Sequence, residues 1–389
     1  MNFQITLPRQ IILESGCINK ISTVISANVS RITIICSRKF FNDDKIRNKI
    51  NSLLNKYQIQ WLKKPAGEPT PESVHTISAQ IKKSDLFIAI GGGSVIDSAK
   101  AVSCLQTNGG KLEDYLEGVG TGKQIRKPCL PIIAVPTTAG TGTEATKNAV
   151  ICDHEKGYKK SLRHYSLVPD TCLIDPELSQ SLPFDIYVYA AIDALTQLIE
   201  SYLSKKSNLF TEGIVEKALP QAILAIESIS TNHNSLNRER MSYAALCSGI
   251  ALANSGLGAV HGFASGIGGL YPIAHGKICA TLLPEVLKTN LAKMNEDNNK
   301  IYKLASLILG KEFIQTELSK PKFHIVLNLI YEKIVKLIHS LKIPAKFDKI
   351  SSTSIDLIIE KSLGSSMKGN PVELSKQEQK NILSTVFSP

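Results

Sequence analysis

The chain has 389 residues, 43% of them hydrophobic and 20% charged, with 45 Lys and Arg against 34 Asp and Glu for a formal net charge of +11. This is a globular composition that excludes a disordered chain and a collagen-like fibre, and at roughly 100–200 residues per domain it predicts two domains. No apolar run of about 18 residues is free of charge or breakers, and MNFQITLPRQ has no charged stretch followed by an apolar one, so the expectation is a soluble chain without an export signal.

The positive charge raises nucleic-acid binding, because Lys and Arg neutralise phosphates. Its distribution argues against it: Lys63-Lys64, Lys82-Lys83, Lys159-Lys160 and Lys205-Lys206 are scattered, and none lies in a block of five or six like charges. They read as solvated surface. The eight cysteines are spread singly with no CxxC spacing, which fits small buried hydrophobes in a reducing compartment and predicts the cytoplasm.

In chain order, the first half alternates short apolar β-branched runs with helical patterns: ITIIC at 32–36, DLFIAI at 85–90, PIIAVP at 131–136 and TCLID at 171–175. Runs apolar throughout fit strands covered on both faces, so a parallel sheet in an α/β domain follows. From Leu182 onward, IYVYAAIDALTQLIESYLS, ERMSYAALCSGIALANSG and HIVLNLIYEKIVKLIHSLKI keep helical spacing without strand-like runs. SLPFD at 181–185 marks the junction, which predicts an α/β domain over 1–181 and an all-helical domain over 182–389.

DLFIAI runs directly into GGGSVIDSAK at 91–100, where a strand turns into a helix. Glycines let the backbone approach a pyrophosphate, and the first-turn N–H groups and helix dipole favour its charge. Ser94 reads as the helix cap and Asp97 as a first-turn residue, although the spacing is not G-x-G-x-x-G. PIIAVP likewise precedes TTAGTGTEATKN at 137–148, whose Thr137, Thr138 and Thr141 offer hydroxyls or N–H groups to a cofactor, or else only cap turns. Open α/β sheets bind ligands where such loops meet at the carboxyl ends of strands.

On the helix around 188–203, Asp193 and Gln197 lie i, i+4 on one face. His261 and His275 flank HGFASGIGGLYPIAHG; on one unbroken helix they would be about 21 Å apart, too far to share an ion. Gly266, Gly268, Gly269 and Pro272 are expected to break that helix and let both imidazoles face one point. One carboxylate, one amide oxygen and two imidazoles would form a four-donor site for Fe, Zn, Mn or Ni. The other histidines, His75, His154, His164, His233, His324 and His339, read as hydrogen-bonded residues of a helical core.

Together, GGGSVIDSAK, PTTAGTGTEATKN, DALTQLIESYLS and HGFASGIGGLYPIAHGKICATLLP resemble the iron-containing (group III) alcohol dehydrogenase family. FQITLPRQIILESG, KIPAKFDKI and MKGNPVELSKQE extend the resemblance over essentially the whole chain. It implies a Rossmann-like N-terminal domain plus an all-α C-terminal domain, the dehydroquinate synthase-like fold, with the active site in the cleft between them. It implies reversible hydride transfer between NAD or NADP and an alcohol or aldehyde, a divalent ion (Fe2+, or Zn2+) acting as Lewis acid, and a homodimer or larger assembly. By the same resemblance Gly92, Gly93, Ser94 and Asp97 match the pyrophosphate loop, Thr137, Thr138 and Thr141 the nicotinamide and phosphate loop, and Thr146, Asn148, Lys159 and Leu178 further cofactor contacts. Asp193, His261 and His275 match three of four metal ligands.

Three positions depart from the family's pattern. Gln197 stands where the fourth ligand, a His, is usual, and Ser265 stands where a further His near the nicotinamide is common. After ITIIC, where NAD-preferring members carry an acidic residue, this chain reads Ser37-Arg38-Lys39, which makes NADP(H) acceptable beside NAD(H). The alternatives are a metal-independent reductase resembling maleylacetate reductases, motivated by Gln197 and Ser265, and a non-catalytic nucleotide-binding homologue.

Overall fold

The computed structural model describes residues 3–229, 234–295, 299–310, 323–347 and 350–387. The chain divides into two compact units, Met1–Pro183 and Phe184–Pro389, with the division inside SLPFD, two residues beyond the expected boundary.

The first unit holds strands β1 (Gln10–Leu13), β2 (Arg31–Cys36), β3 (Gln58–Lys63), β4 (Leu86–Gly91), β5 (Ile132–Pro136), β6 (Asn148–Asp153), β7 (Tyr158–Arg163) and β8 (Thr171–Ile174). Its helices are α1 (Arg38–Phe41), α2 (Asp44–Leu53), α3 (Pro71–Ala79) and α4 (Gly93–Asn108). Six strands form one sheet in the order β1-β8-β5-β4-β2-β3, every pair parallel, while β6 and β7 form an antiparallel hairpin.

The four apolar runs become β2, β4, β5 and β8, and their side chains alternate between two cores. Ile34, Ile88 and Ile133 pair across neighbouring strands and enter one core, and Ile35, Ala89 and Ala134 pair one residue on and enter the other. Both faces are thereby covered, which is why the central strands are apolar at every position. β1, β3 and the β6–β7 hairpin were not anticipated. At the sheet edges β1 and β3 carry polar residues, and β3 reads QIQWLK with only Leu62 buried, so they lack the unbroken apolar signature.

From β2 the chain moves outward to β3, then returns to the other side of β2 with β4. The order therefore reverses between β2 and β4, and a crevice at the carboxyl ends of these strands is where doubly wound sheets take ligands. Ser37 follows β2 there and donates its N–H to Ile90 O at 3.2 Å. GGGS follows β4.

The second unit is helical among the described residues: α5 (Phe184–Leu203), α6 (Leu209–Ser228), α7 (Ser235–Ser255), α8 (Ala259–Leu270), α9 (His275–Ala292), α10 (Asn299–Leu309), then helices Phe323–Ser340, Ile355–Lys361, Ser365–Gly369 and Lys376–Val386. α5 is the central helix, buried over most of its length and packed on α6, α7 and α9, which puts its polar residues Asp193, Gln197 and Glu200 inside the bundle. The expectation that glycines break the helix after His261 is corrected. Gly266, Gly268 and Gly269 lie within α8, and the break falls at Tyr271–Ala274, where Pro272 cannot continue a helix. Gly266 serves packing instead, since a Cβ there would meet Ser362 Oγ at 2.5 Å and Ile358 O at 2.8 Å. No single helix among the described residues is long and apolar enough to cross a membrane.

Candidate cofactor cradle and metal centre

The cradle begins where β4 ends. Gly92 caps α4 and the helix starts at Gly93, so Ser94 is its second residue and not the cap, and Asp97 lies beyond the first turn. α4 has no side-chain cap, and Val95 spends its N–H on Gly92 O at 2.9 Å, so an anion at this end would meet the N–H groups of Gly93 and Ser94 and the helix dipole. A Cβ on Gly93 would lie 2.8 Å from Thr141 Oγ1, and one on Gly92 3.3 Å from Thr138 Oγ1. The two Gly/Thr loops are thus in contact, most tightly at Gly93. Gly93→Ala is expected to displace Thr141 and the loop that carries it, because Cγ2, Oγ1 and Cβ of Thr141 would all lie within 3.0 Å of the new methyl and turning the hydroxyl alone does not clear them. Dinucleotide affinity should fall about fivefold, roughly one hydrogen bond, as read by fluorescence titration.

Behind the loops, Lys100 Nζ is fully buried and donates to Thr143 O (2.6 Å), Thr146 O (2.7 Å), Thr146 Oγ1 (2.9 Å) and Asn148 O (3.0 Å). This lysine staples the 137–148 loop to α4. Thr146 is consequently buried, with its hydroxyl committed to Lys100, and Thr137 spends its N–H on Gly91 O at 3.0 Å. Burial lowers the Lys100 pKa to about 8, against the pull of Asp97 and Glu144. Burial also raises the Asp97 and Glu144 carboxyls, each to about 7, with Lys100 opposing both shifts.

Asp97 Oδ1 is buried without a hydrogen-bond partner among the described residues, which leaves an acceptor for a ligand hydroxyl or amide. Lys159 is buried and pairs with Glu68 Oε1 at 2.9 Å, and Lys64 is buried beside Gly67 O, so two of the scattered lysines point inward rather than into solvent. Leu178 packs against the sheet core. At the β2 end the Ser37 hydroxyl caps α1, Lys39 Nζ donates to Ser181 Oγ (2.6 Å) and Ser181 O (3.1 Å), and Arg38 is exposed.

The second site lies wholly within the helical unit. Asp193 comes from α5, His261 from the first turn of α8, and His275 is the first residue of α9. The break between α8 and α9 brings the two imidazoles to 5.4 Å between ring centroids. Asp193 Oδ1 lies 3.2 Å from His261 Nε2 and 3.8 Å from His275 Nε2. A fourth donor completes the group: Cys279 Sγ is 3.8 Å from both Nε2 atoms, and all four donor atoms lie within 4.8 Å of one another. Ligand bonds of about 2.0–2.3 Å give tetrahedron edges of roughly 3.3–3.6 Å, so the group is sized for a divalent transition metal.

Gln197 does not fill the place expected of it. Its Oε1 accepts the Ser248 hydroxyl at 2.7 Å, and its side chain also hydrogen-bonds the Asp193 carboxylate. A carboxylate only accepts, so the amide N–H faces Asp193 and positions it.

Glu200 and Cys279 were not anticipated. Glu200 Oε2 accepts from His261 Nδ1 at 2.7 Å, which leaves Nε2 to face the cluster, and Oε1 accepts the Val260 N–H at 2.7 Å at the start of α8. A carboxylate holding the far nitrogen of a ligating imidazole is the usual support of a metal site. The signal was present, since Glu200 follows Asp193 by seven residues on one face of α5 and Cys279 follows His275 by four on α9. Burial opposes the Asp193 charge, but His275 and His261 outweigh it and hold the carboxyl below its usual range. Burial also opposes a charged His261, and Cys279, Asp193 and Glu200 raise its pKa well above the usual imidazole value. Burial, against His261, pushes the Cys279 thiol up to about 11. Replacing Glu200 with Gln is expected to weaken metal binding ~10- to 100-fold in chelator competition; an unchanged Kd would reduce Glu200 to a cap of α8.

The remaining histidines do not form a helical core. His75 accepts the Leu112 N–H at 3.2 Å, His164 Nδ1 pairs with Ser166 Oγ at 2.7 Å, His154 lies beside Cys152, His324 and His339 are exposed, and His233 lies outside the described residues.

Residues 8–176 match the family model described as iron-containing alcohol dehydrogenase, and residues 187–387 match that of the Fe-containing alcohol dehydrogenase family, C-terminal. The chain belongs to the iron-containing alcohol dehydrogenase family. Among its relatives, the NADPH-dependent butanol dehydrogenase of Clostridium saccharobutylicum is 30% identical over 98% of this chain and 97% of its own length. The probable alcohol dehydrogenase EutG of Escherichia coli is 38% identical over 58% of this chain, a match that spans 57% of that relative. The solved alcohol dehydrogenase from Oenococcus oeni superposes with a TM-score of 0.88 at 25% identity, covering 99% of this chain and all of that one. The fold of this family member is therefore the α/β-plus-helical architecture expected from its motifs.

Proposed function

We propose that this family member is an NAD(P)-dependent alcohol dehydrogenase, transferring hydride reversibly between C4 of a nicotinamide and the carbonyl carbon of an aldehyde or ketone. The observation that carries the reading is the cluster of buried Asp193 and His261 with half-buried His275, Glu200 behind it, built to the size of a divalent ion. An ion held there supplies Lewis acidity toward the substrate oxygen. The protein's own part is positional: Glu200 and Gln197 hold the His261 ring and the Asp193 carboxylate at the cluster.

In the α/β unit, Gly92, Gly93 and Ser94 offer the α4 N-terminus to the pyrophosphate, with Thr138 and Thr141 flanking it. Asp97 Oδ1 accepts from the cofactor, and Asn148, Lys159 and Leu178 line its further course. Arg38 and the absence of a carboxylate after β2 favour NADP(H), in keeping with the NADPH dependence named for the butanol dehydrogenase. Alcohols and aldehydes are the substrate class, a homodimer or larger is the assembly, and the eight free cysteines support the cytoplasm.

The test follows aldehyde-dependent oxidation of NADPH and NADH before chelation, after it, and after metal restoration. Turnover should vanish and return with the ion; turnover indifferent to complete removal would sink the metal's role. The metal-independent alternative drew on Gln197, and with Cys279 beside the three family ligands the chain still presents four donors.

A further inference from the structure

We infer that Cys279 is the fourth metal ligand of this chain, as a thiolate that takes the place the family gives to a histidine, and that the site is thereby made for zinc rather than iron. The inference rests on the reading of Asp193, His261 and His275 as a metal centre and goes beyond it in donor chemistry and metal choice.

Three observations carry it. Cys279 lies one helical turn after His275 on α9, so the two residues project from one face, and its Sγ stands 3.8 Å from Nε2 of both His275 and His261. These separations sit close to the edge of a tetrahedron built from Zn–S and Zn–N bonds of about 2.3 and 2.0 Å. The position that normally supplies the fourth donor is occupied elsewhere: Gln197 Oε1 accepts from Ser248 at 2.7 Å while its amide N–H serves Asp193. An amide turned to present its oxygen would still set a neutral carbonyl against a thiolate, and for a borderline-soft ion the thiolate is the stronger ligand. The backbone geometry also favours the cysteine. A Cβ on Gly276 would lie 2.1 Å from Tyr189 O, so glycine there allows α9 to press against α5, and that approach sets Cys279 beside Asp193.

The chemistry follows from the donor set. Two imidazoles, one carboxylate and one thiolate neutralise a divalent ion, whereas three imidazoles and one carboxylate leave it at +1. Sulfur ligation selects zinc over iron(II) in addition to the general order of affinities, which already places iron(II) below zinc. The thiol proton is released to solvent when the ion binds, and no electrons change hands.

Cobalt(II) replaces the native ion as the probe, because its d–d absorption reports bound metal and its near-ultraviolet sulfur-to-cobalt band reports thiolate ligation separately. Wild-type protein should take up one equivalent and show both absorptions. Cys279→Ala should lose the sulfur band, and Cys279→His should keep the d–d absorption without the sulfur band. In competition, Zn2+ should displace Fe2+ from wild type at lower excess than from Cys279→His. Bound cobalt without a sulfur band, or a band that survives in Cys279→Ala, overturns the cysteine's role and leaves the metal centre standing. Wild-type protein that binds no cobalt, indistinguishable from Asp193→Ala, overturns both.

Discussion

Asp193→Ala is expected to abolish stoichiometric metal binding and to lower alcohol oxidation by at least ~10³-fold, since a Lewis acid contributes several kcal/mol at the transition state and each 1.4 kcal/mol is a decade. Asp193 Oδ1 lies 3.2 and 3.8 Å from the two imidazole Nε2 atoms, and it supplies formal negative charge that the two neutral histidines lack. Its removal leaves Glu200 as the remaining carboxylate contact of His261. Elemental analysis and steady-state rates on the same preparation separate the effects. A variant that keeps full metal content but loses turnover would show that Asp193 acts on the substrate rather than on the ion.

Lys100→Met should cost about 3–5 kcal/mol of stability, the usual result of removing one partner from a buried ionic network. The ammonium group serves three carbonyl oxygens and the Thr146 hydroxyl from a site with no solvent exposure, and Asp97 and Glu144 are the charges it offsets. Methionine fills the volume but donates nothing, so the buried acceptors lose their charged donor, and Thr143 O keeps only the Thr146 N–H and hydroxyl. Against a total stability of about 5–15 kcal/mol the loss is large, and it falls on the 137–148 loop that carries the cofactor threonines. Urea titration should show a lower midpoint at unchanged slope, with dinucleotide affinity reduced in parallel. A midpoint equal to wild type would mean that the loop is held by its own turns.

The parallel sheet was legible because its signal is local. ITIIC, DLFIAI, PIIAVP and TCLID are apolar at consecutive positions, as strands covered on both faces must be, and each became a strand of the central sheet. β1 and β3 escaped because an edge strand buries less and so carries polar residues. Within GGGS the glycines were legible and the cap was not: a serine near a helix start is a good cap, but here Gly92 takes that position, where Thr138 approaches closely.

At the helical site, residue type and motif spacing singled out Asp193, His261 and His275. They did not show that the glycines after His261 remain helical, since a glycine that admits a neighbouring helix and one that ends a helix look alike in one dimension.

What the sequence determined by itself are properties set by near neighbours: the hydrophobic periods, the glycine-rich turns after β4 and β5, and the motifs by which the family is known. The tertiary structure decided which groups meet. His261 reaches Asp193 across 68 positions and Glu200 across 61, Lys100 reaches the loop across 43 to 48, and Cys279 joins through the packing of α9 on α5. Those encounters depend on distances between helices rather than on spacing along one. For that reason the replacement at Gln197 read as a lost ligand in the sequence, and the donor facing the same cluster was found only in three dimensions.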